Sequence, residues 1–207
     1  MLLRNVAHPP LYLPSRKKHR KSLGEQSPTL IEDYAVILNG TLADEAEILR
    51  LCLSELGIGS KQVVHAYTTL GLARASSPEE LEQTGRSLRT NLKRLDEETL
   101  DDFLAKNKEP HLVAPALILG GQLIPVTDEQ LREVFRDNNG WQRFRELYPE
   151  SMGNVSFSRV GFNIALTQAL VYAGQQVDWL MGHGAYWLLQ KKENRWKKAG
   201  SAMAWIS

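Results

Sequence analysis

Apolar residues recur at helical spacing through the middle of the chain and alternate with polar ones toward its end. Thr29 to Asn39 opens with a capping box of Thr29 and Glu32. It carries Leu30, Tyr34, Ile37 and Leu38 on one face and meets Asn39-Gly40 as a left-handed stop. A second helix, from about Asp44 to Leu56, aligns Ile48, Cys52 and Leu56, and Gly57 ends it. Lys61 to Tyr67 alternates and reads as a strand, with His65 on the face of Val63 and Tyr67. Ser77, Pro78 and Glu80 open the next helix, whose stripe is Leu81, Leu88, Leu92 and Leu95. Asp96 starts another, with Leu100, Phe103 and Leu104 inward. Ala116–Leu119, Gly120-Gly121 and Gln122–Val126 spell a hairpin, and Pro125 assigns its second strand to an edge or a bulge. Thr127 and Gln130 cap a helix that points Leu131, Val134 and Phe135 inward, and Trp141, Phe144 and Tyr148 mark a short helix after Gly140.

From Asn154 the period becomes two. Strands are predicted at Asn154–Phe162, Thr167–Ala173, Ala185–Lys192 and Arg195 to about Ile206, with Glu193-Asn194 as a two-residue turn. Trp187, Trp196 and Trp205 lie across the last hairpin and are expected to pack against helices. The fold class is therefore α+β: capped helices with one strand or hairpin, then an antiparallel β-meander. Residues 1–28 form a basic tail, and 29–207 form one domain with a mainly helical half (29–149) and a meander half (150–207).

Several stretches carry a resemblance. They are Asp96–Phe103 with Asn107, Trp141-x-x-Phe144 with Tyr148-Pro149, Ser158-Arg-Val-Gly-Phe-Asn163, Gln168-Ala-Leu-Val-Tyr172, and Gly182–Lys192 followed by Trp196-Lys197. Together they resemble an uncharacterised family of bacterial proteins over roughly residues 29–207. That resemblance implies architecture and no activity. Members of that family often carry export signals and a cysteine in the glycine loop, where this chain has Met181. The last hairpin is also similar to the final hairpin of cone-shaped NTF2-like domains.

Composition changes the picture by exclusion. The chain has 207 residues, 43% of them hydrophobic, a net charge of +1 and one cysteine, Cys52. An internal disulfide and any multi-cysteine metal site are excluded. No apolar run reaches the ~20 residues that span a bilayer. No signal-peptide core is visible, so the expected compartment is the cytoplasm, with export as the alternative if the true start lies elsewhere. Charge divides by region: residues 1–28 carry +5, residues 29–140 carry −8 and residues 141–207 carry +4. The two halves are thus expected to attract across their interface. The tail cluster Arg16-Lys17-Lys18-His19-Arg20-Lys21 suits phosphates, but the acidic middle argues against a broad nucleic-acid footprint.

Familiar catalytic signatures are missing: no nucleophile elbow, no HExxH and no Walker A loop. The acidic first turn Glu97, Glu98, Asp101 and Asp102 reads as a solvated helix start, not a metal site. One constellation stands out, the glycine-flanked loop Asp178-Trp179-Leu180-Met181-Gly182-His183-Gly184. Its catalytic candidates are His183, as a general base, and Asp178, as its orienting carboxylate. Ligand-binding candidates are Arg159 with Ser158, which suit an anion, together with Trp179, Gly182, Gly184 and Tyr186. The competing reading is structural: the glycines turn the chain, His183 faces solvent, and Arg159 pairs with an acidic helix. The chain is expected to be a non-enzymatic module that binds a small molecule or a protein, with no cofactor and no metal. The alternatives are a hydrolase-like enzyme using the Asp178–Gly184 loop, and nucleic-acid binding through the tail.

Overall fold

The computed structural model describes residues 28–57, 61–70, 77–113 and 123–207. The basic tail up to residue 27, residues 58–60, and the first strand and turn expected in the 116–126 hairpin lie outside the described residues. So do the side chains of the Thr29–Glu32 cap and of its stripe. Five helices and seven strands are described. In chain order they are α1 (Pro28–Glu55), β1 (Gln62–His65), α2 (Pro78–Asn91), α3 (Glu97–Lys106), β2 (Leu123–Val126) and α4 (Asp128–Val134). There follow α5 (Gly140–Leu147), β3 (Asn154–Phe157), β4 (Gly161–Phe162), β5 (Gln168–Asp178), β6 (Met181–Lys192) and β7 (Arg195–Ile206). The chain divides into two units, Met1–Val36 and Ile37–Ser207, and all contacts described below lie within the second.

Local signals act where they were read. Ser77 accepts the N–H of Glu80 while the Glu80 carboxylate takes the N–H of Ser77, and Thr127 and Gln130 do the same. Glu193 and Asn194 both adopt positive φ, 52° and 58°, the geometry of a type I′ turn.

All strands join one sheet in the order β2-β1-β3-β5-β6-β7, with β4 beside β3 on the same edge of β5. The meander β5-β6-β7 is antiparallel, as expected. However, β1 is parallel to both β2 and β3, so the sheet is mixed. Hydrophobic alternation specifies which side chains face the core, not the direction of the neighbouring strand. Pro125 lies on β2, an outermost strand of this order, where its missing N–H removes no ladder bond from the interior.

One sheet face packs Val155, Phe157, Val171, Leu189 and Trp196 against Ile48, Leu49, Cys52 and Leu53 of α1. The opposite face is covered in two places. Helices α2 and α3 place Leu88, Leu92, Leu100 and Phe103 on Leu170 and Leu188. Helices α4 and α5 place Leu131, Val134, Trp141 and Phe144 on Val63 and Val126. Burying each such side chain contributes about 1.5–3 kcal/mol.

Helix α1 differs from the two helices expected. It continues through Asn39-Gly40, because a glycine costs a helix only about 1 kcal/mol when tertiary packing holds the rest. Asp44 is not a cap. Its carboxylate takes Lys191 Nζ at 2.8 Å and the indole N–H of Trp196 at 3.0 Å. Glu45 takes Arg159 Nε at 2.9 Å and the backbone N–H of Val160 at 3.2 Å. With Glu55 facing Lys198 at 3.9 Å, the acidic middle meets the basic meander through named pairs.

The single strand expected at 154–162 is broken into β3 and β4. Ser158 Oγ accepts the Tyr172 N–H, Asn107 Oδ1 accepts the Arg159 N–H, and Glu45 takes that of Val160. The Ser158 N–H still bonds to the Tyr172 carbonyl, and side chains supply the other contacts across the gap. Chain pairing resumes at Gly161, where Phe103 backbone atoms leave no room for a Cβ.

Replacing Glu45 with Ala removes a carboxylate whose side chain is 5% exposed and strands the Val160 N–H. The expected loss is about 2–3 kcal/mol in urea unfolding. Glu82→Ala, which loses only an exposed pair with Arg86, is expected to stay within about 0.5 kcal/mol. Equal losses would deny Glu45 an anchoring role.

Candidate functional site

The Asp178–Gly184 segment is not a loop. Strand β5 runs to Asp178 and β6 begins at Met181, leaving Trp179-Leu180 as a tight turn. His183 is exposed and pairs in register with Gln175 and Ile206. By alternation it faces the same side as Ala185 and Trp187, the α1 side. Asp178 instead takes Arg145 Nη1 of α5, on the opposite side of the sheet, at 3.2 Å. The structure therefore does not bring these two together as a base and its orienting group.

Ser158 is buried, donating to the Arg159 carbonyl as well as accepting from Tyr172. The Arg159 guanidinium is already held by both oxygens of Glu45. An anion would have to displace that carboxylate. Tyr186 packs edge-on against Phe103, 6.1 Å between centroids, and beside Tyr172.

Gly182 and Gly184 serve Trp205. The Trp205 indole lies across both, and a Cβ at Gly184 would overlap its Nε1 and stand 2.6 Å from the Tyr172 hydroxyl. Trp205 Nε1 donates to that hydroxyl at 2.7 Å. The glycines clear space for a cross-strand tryptophan, so their close backbone approach is intramolecular.

Trp179 leads to a different site. A bulge at Val177 re-aims the hairpin tip, so that the Trp179 ring meets Phe135 at 5.8 Å and Trp141 at 6.4 Å. Between this tip and helices α4 and α5 is a cavity of about 320 Å³. Leu131, Phe135, Trp141 and Trp179 line it as apolar groups, His65, Asn154 and Gln176 line it from the sheet, and Asp128 and Arg132 come from the first turns of α4.

Each member is placed by local structure. Gly153 adopts φ +144°, where a Cβ would strike the Gln176 carbonyl. Gln62 Nε2 and Ser151 Oγ both donate to the Gly153 carbonyl. This sets Asn154 directly opposite Gln176 across the β3–β5 ladder. Asp137 holds the α4–α5 corner by accepting from the Asn139 N–H and from Arg143. Those two interactions, in that order, keep its carboxyl below the usual carboxylate range.

The cavity contains unmet hydrogen-bonding capacity. Asn154 is 8% exposed and Gln176 half-buried; among the described residues no hydrogen bond from either side-chain amide is seen, and both line the cavity. Trp141 is 3% exposed and its indole N–H has no partner among the described residues. An unpaired buried polar group costs about 1–3 kcal/mol. Trp179 is 49% exposed, a large apolar ring half open to solvent.

A second depression, about 480 Å³, is bordered by Glu98, Asp102, Lys106, Phe162, Asn163 and Ile164. Its polar groups are already used. Asp102 takes the Phe162 N–H and Lys106, Glu98 takes the Ile164 N–H, and Asn163 Oδ1 takes those of Thr167 and Gln168. Glu97, Glu98 and Asp101 are exposed, as a solvated helix start requires, while Glu97 also pairs with Arg89. Among the described residues no three His, Cys, Asp or Glu gather to hold a metal ion. Cys52 is fully buried, and desolvation pushes its thiol well above the ordinary range, so it is no nucleophile.

Sequence reasoning singled out Trp179 but missed Asn154, Gln176 and Trp141 as a group. The available signal was Gln176, a polar side chain on the same strand phase as Leu170 and Tyr172.

Gly184→Ala is expected to cost about 1–3 kcal/mol by overpacking. In a Trp205→Ala background the same change should cost clearly less, a coupling that a double-mutant cycle measures. Burial also raises the Tyr172 phenol, opposed by its bonds to Trp205 and Ser156. The folded state then holds this proton more tightly than the unfolded chain. Stability is unaffected below about pH 10 and falls as pH rises from there toward the folded value. Phenolate absorbance should show Tyr172 ionising only above the ordinary tyrosine range.

No family model, curated protein or solved structure matches the chain. What the cavity does has to be read from its own side chains.

Proposed function

We propose that the protein is a non-enzymatic binding module that takes a small ligand in the cavity between α4, α5 and the Trp179 tip. The observation that carries this reading is the facing pair of unbonded amides, Asn154 and Gln176, beside an aromatic wall. A ligand with an apolar face and a hydrogen-bonding edge satisfies both at once. Such pockets are mostly apolar with a few convergent polar groups. The reading differs from the one centred on His183, Asp178 and Arg159, whose groups are dispersed or already paired.

The enzymatic alternative moves with the cavity, because His65 and Asp128 also line it. Acid–base chemistry by these two groups would appear as turnover that His65→Ala abolishes. A fragment screen followed by amide NMR tests the binding reading. Bound fragments should shift the side-chain amide signals of Asn154 and Gln176. Gln176→Ala should weaken binding at least about tenfold, while His183→Ala leaves it unchanged. Fragments that bind only near His183 or Arg159, or turnover lost in His65→Ala, would overturn it.

A further inference from the structure

We infer that the ligand class is a neutral sugar, seated with its C–H face on Trp179 and its hydroxyls on Asn154 and Gln176. This rests on the binding reading above and narrows it by charge, ring geometry and hydrogen-bonding pattern.

The charged groups at the cavity are Asp128 and Arg132, one of each sign, with His65 on the sheet. No single-sign cluster is present to select a phosphate or an ammonium group. The aromatic rings meet one another at steep angles, 71° for Phe135–Trp141, 76° for Phe135–Trp179 and 83° for Trp141–Trp179. They form a wall with one open indole, not two parallel plates that would sandwich a planar base. A pyranose needs one such plate. Its axial C–H bonds form an apolar face, and its hydroxyls lie around the ring edge.

The two amides fit that edge. Each carboxamide offers a donor NH2 and an acceptor carbonyl, the pair needed to engage adjacent hydroxyls, which both give and accept. Asn154 and Gln176 are directly opposed in an antiparallel ladder, so their Cβ atoms stand about 4.5–5.5 Å apart. Side by side they offer two NH2 donors and two carbonyl acceptors. The same row continues across the sheet. Gln176 pairs with Gly182, and the Trp205 six-membered ring lies 3.0 Å from where a Gly182 Cβ would stand. A second, half-buried indole thus flanks Gln176 on the side away from Asn154. Two indoles, Trp179 in the cavity wall and Trp205 beside Gly182, suit two linked pyranose rings better than one.

The test is titration of the full chain with methyl pyranosides, with gluco-, galacto- and N-acetylglucosamine disaccharides, and with adenosine, uridine and choline, up to about 10 mM, past the ~1 mM scale of weak binding. Tryptophan fluorescence and amide NMR are the readouts. We expect at least one sugar to bind saturably and shift the Asn154 and Gln176 amide signals, with its disaccharide tighter than its monosaccharide. Nucleosides and choline should not bind there. Trp179→Ala and, separately, Gln176→Leu should each weaken the sugar at least about tenfold with the unfolding midpoint retained. If fragments, nucleosides or choline occupy the cavity and every sugar fails, the sugar assignment is overturned and the binding reading stands. If nothing occupies it, both are overturned.

Discussion

The carboxylate of Glu45 is the fastening on which the rest of the fold depends. It sits on α1 and reaches across to Arg159 and Val160, in the break between β3 and β4. Without that contact two strands sharing one edge of β5 would have an unsupported gap between them. Asn107 from α3 and the hydroxyl of Ser158 complete the repair. One helix on each face is therefore tied to the same short break. Arg159, which invites a functional reading in isolation, is the counter-charge that makes burying Glu45 affordable.

With that gap closed, β5 serves as the axis of the sheet, paired on both edges and buried along most of its length. Helix α1 occupies one face. The other face is shared by two helix pairs set over different strands, α2 and α3 over β5 and β6, α4 and α5 over β1 and β2. The cavity lies at the margin of the second pair, where the bulged hairpin tip leans onto it. Its polar floor is a by-product of register: the Gly153 turn sets Asn154 opposite Gln176.

Elements with a local cause were legible in the chain. The Ser77 and Thr127 boxes, the Glu193-Asn194 turn, the Cys52 register and the edge assignment of Pro125 all follow from neighbouring residues. What was not legible depends on partners far away in sequence. Nothing in Gln62–His65 announces that its neighbours run parallel to it. Nothing near Asp44 tells that its side chain is claimed by Lys191 and Trp196. The glycines at 182 and 184 imply a loop until Trp205, on the next strand, is seen to fill them. The candidate site was legible only at Trp179, because its other walls come from β1, β3, α4 and α5.

The mixed direction of the sheet also sets an order of assembly. Strands β5, β6 and β7 close through short turns between sequence neighbours. Strand β1 finds β2 and β3 only after long stretches of chain have been folded back. Local pairings form with little loop-closure cost, and distant parallel ones form slowly. The meander is thus the early part, and the β1–β2 flank with α4 and α5 is the late part. Gln176 and Trp179 belong to the first, His65, Phe135 and Trp141 to the second. The cavity exists only once the two have joined, so its occupant would bind the finished fold alone and oppose the reopening of that seam by mass action.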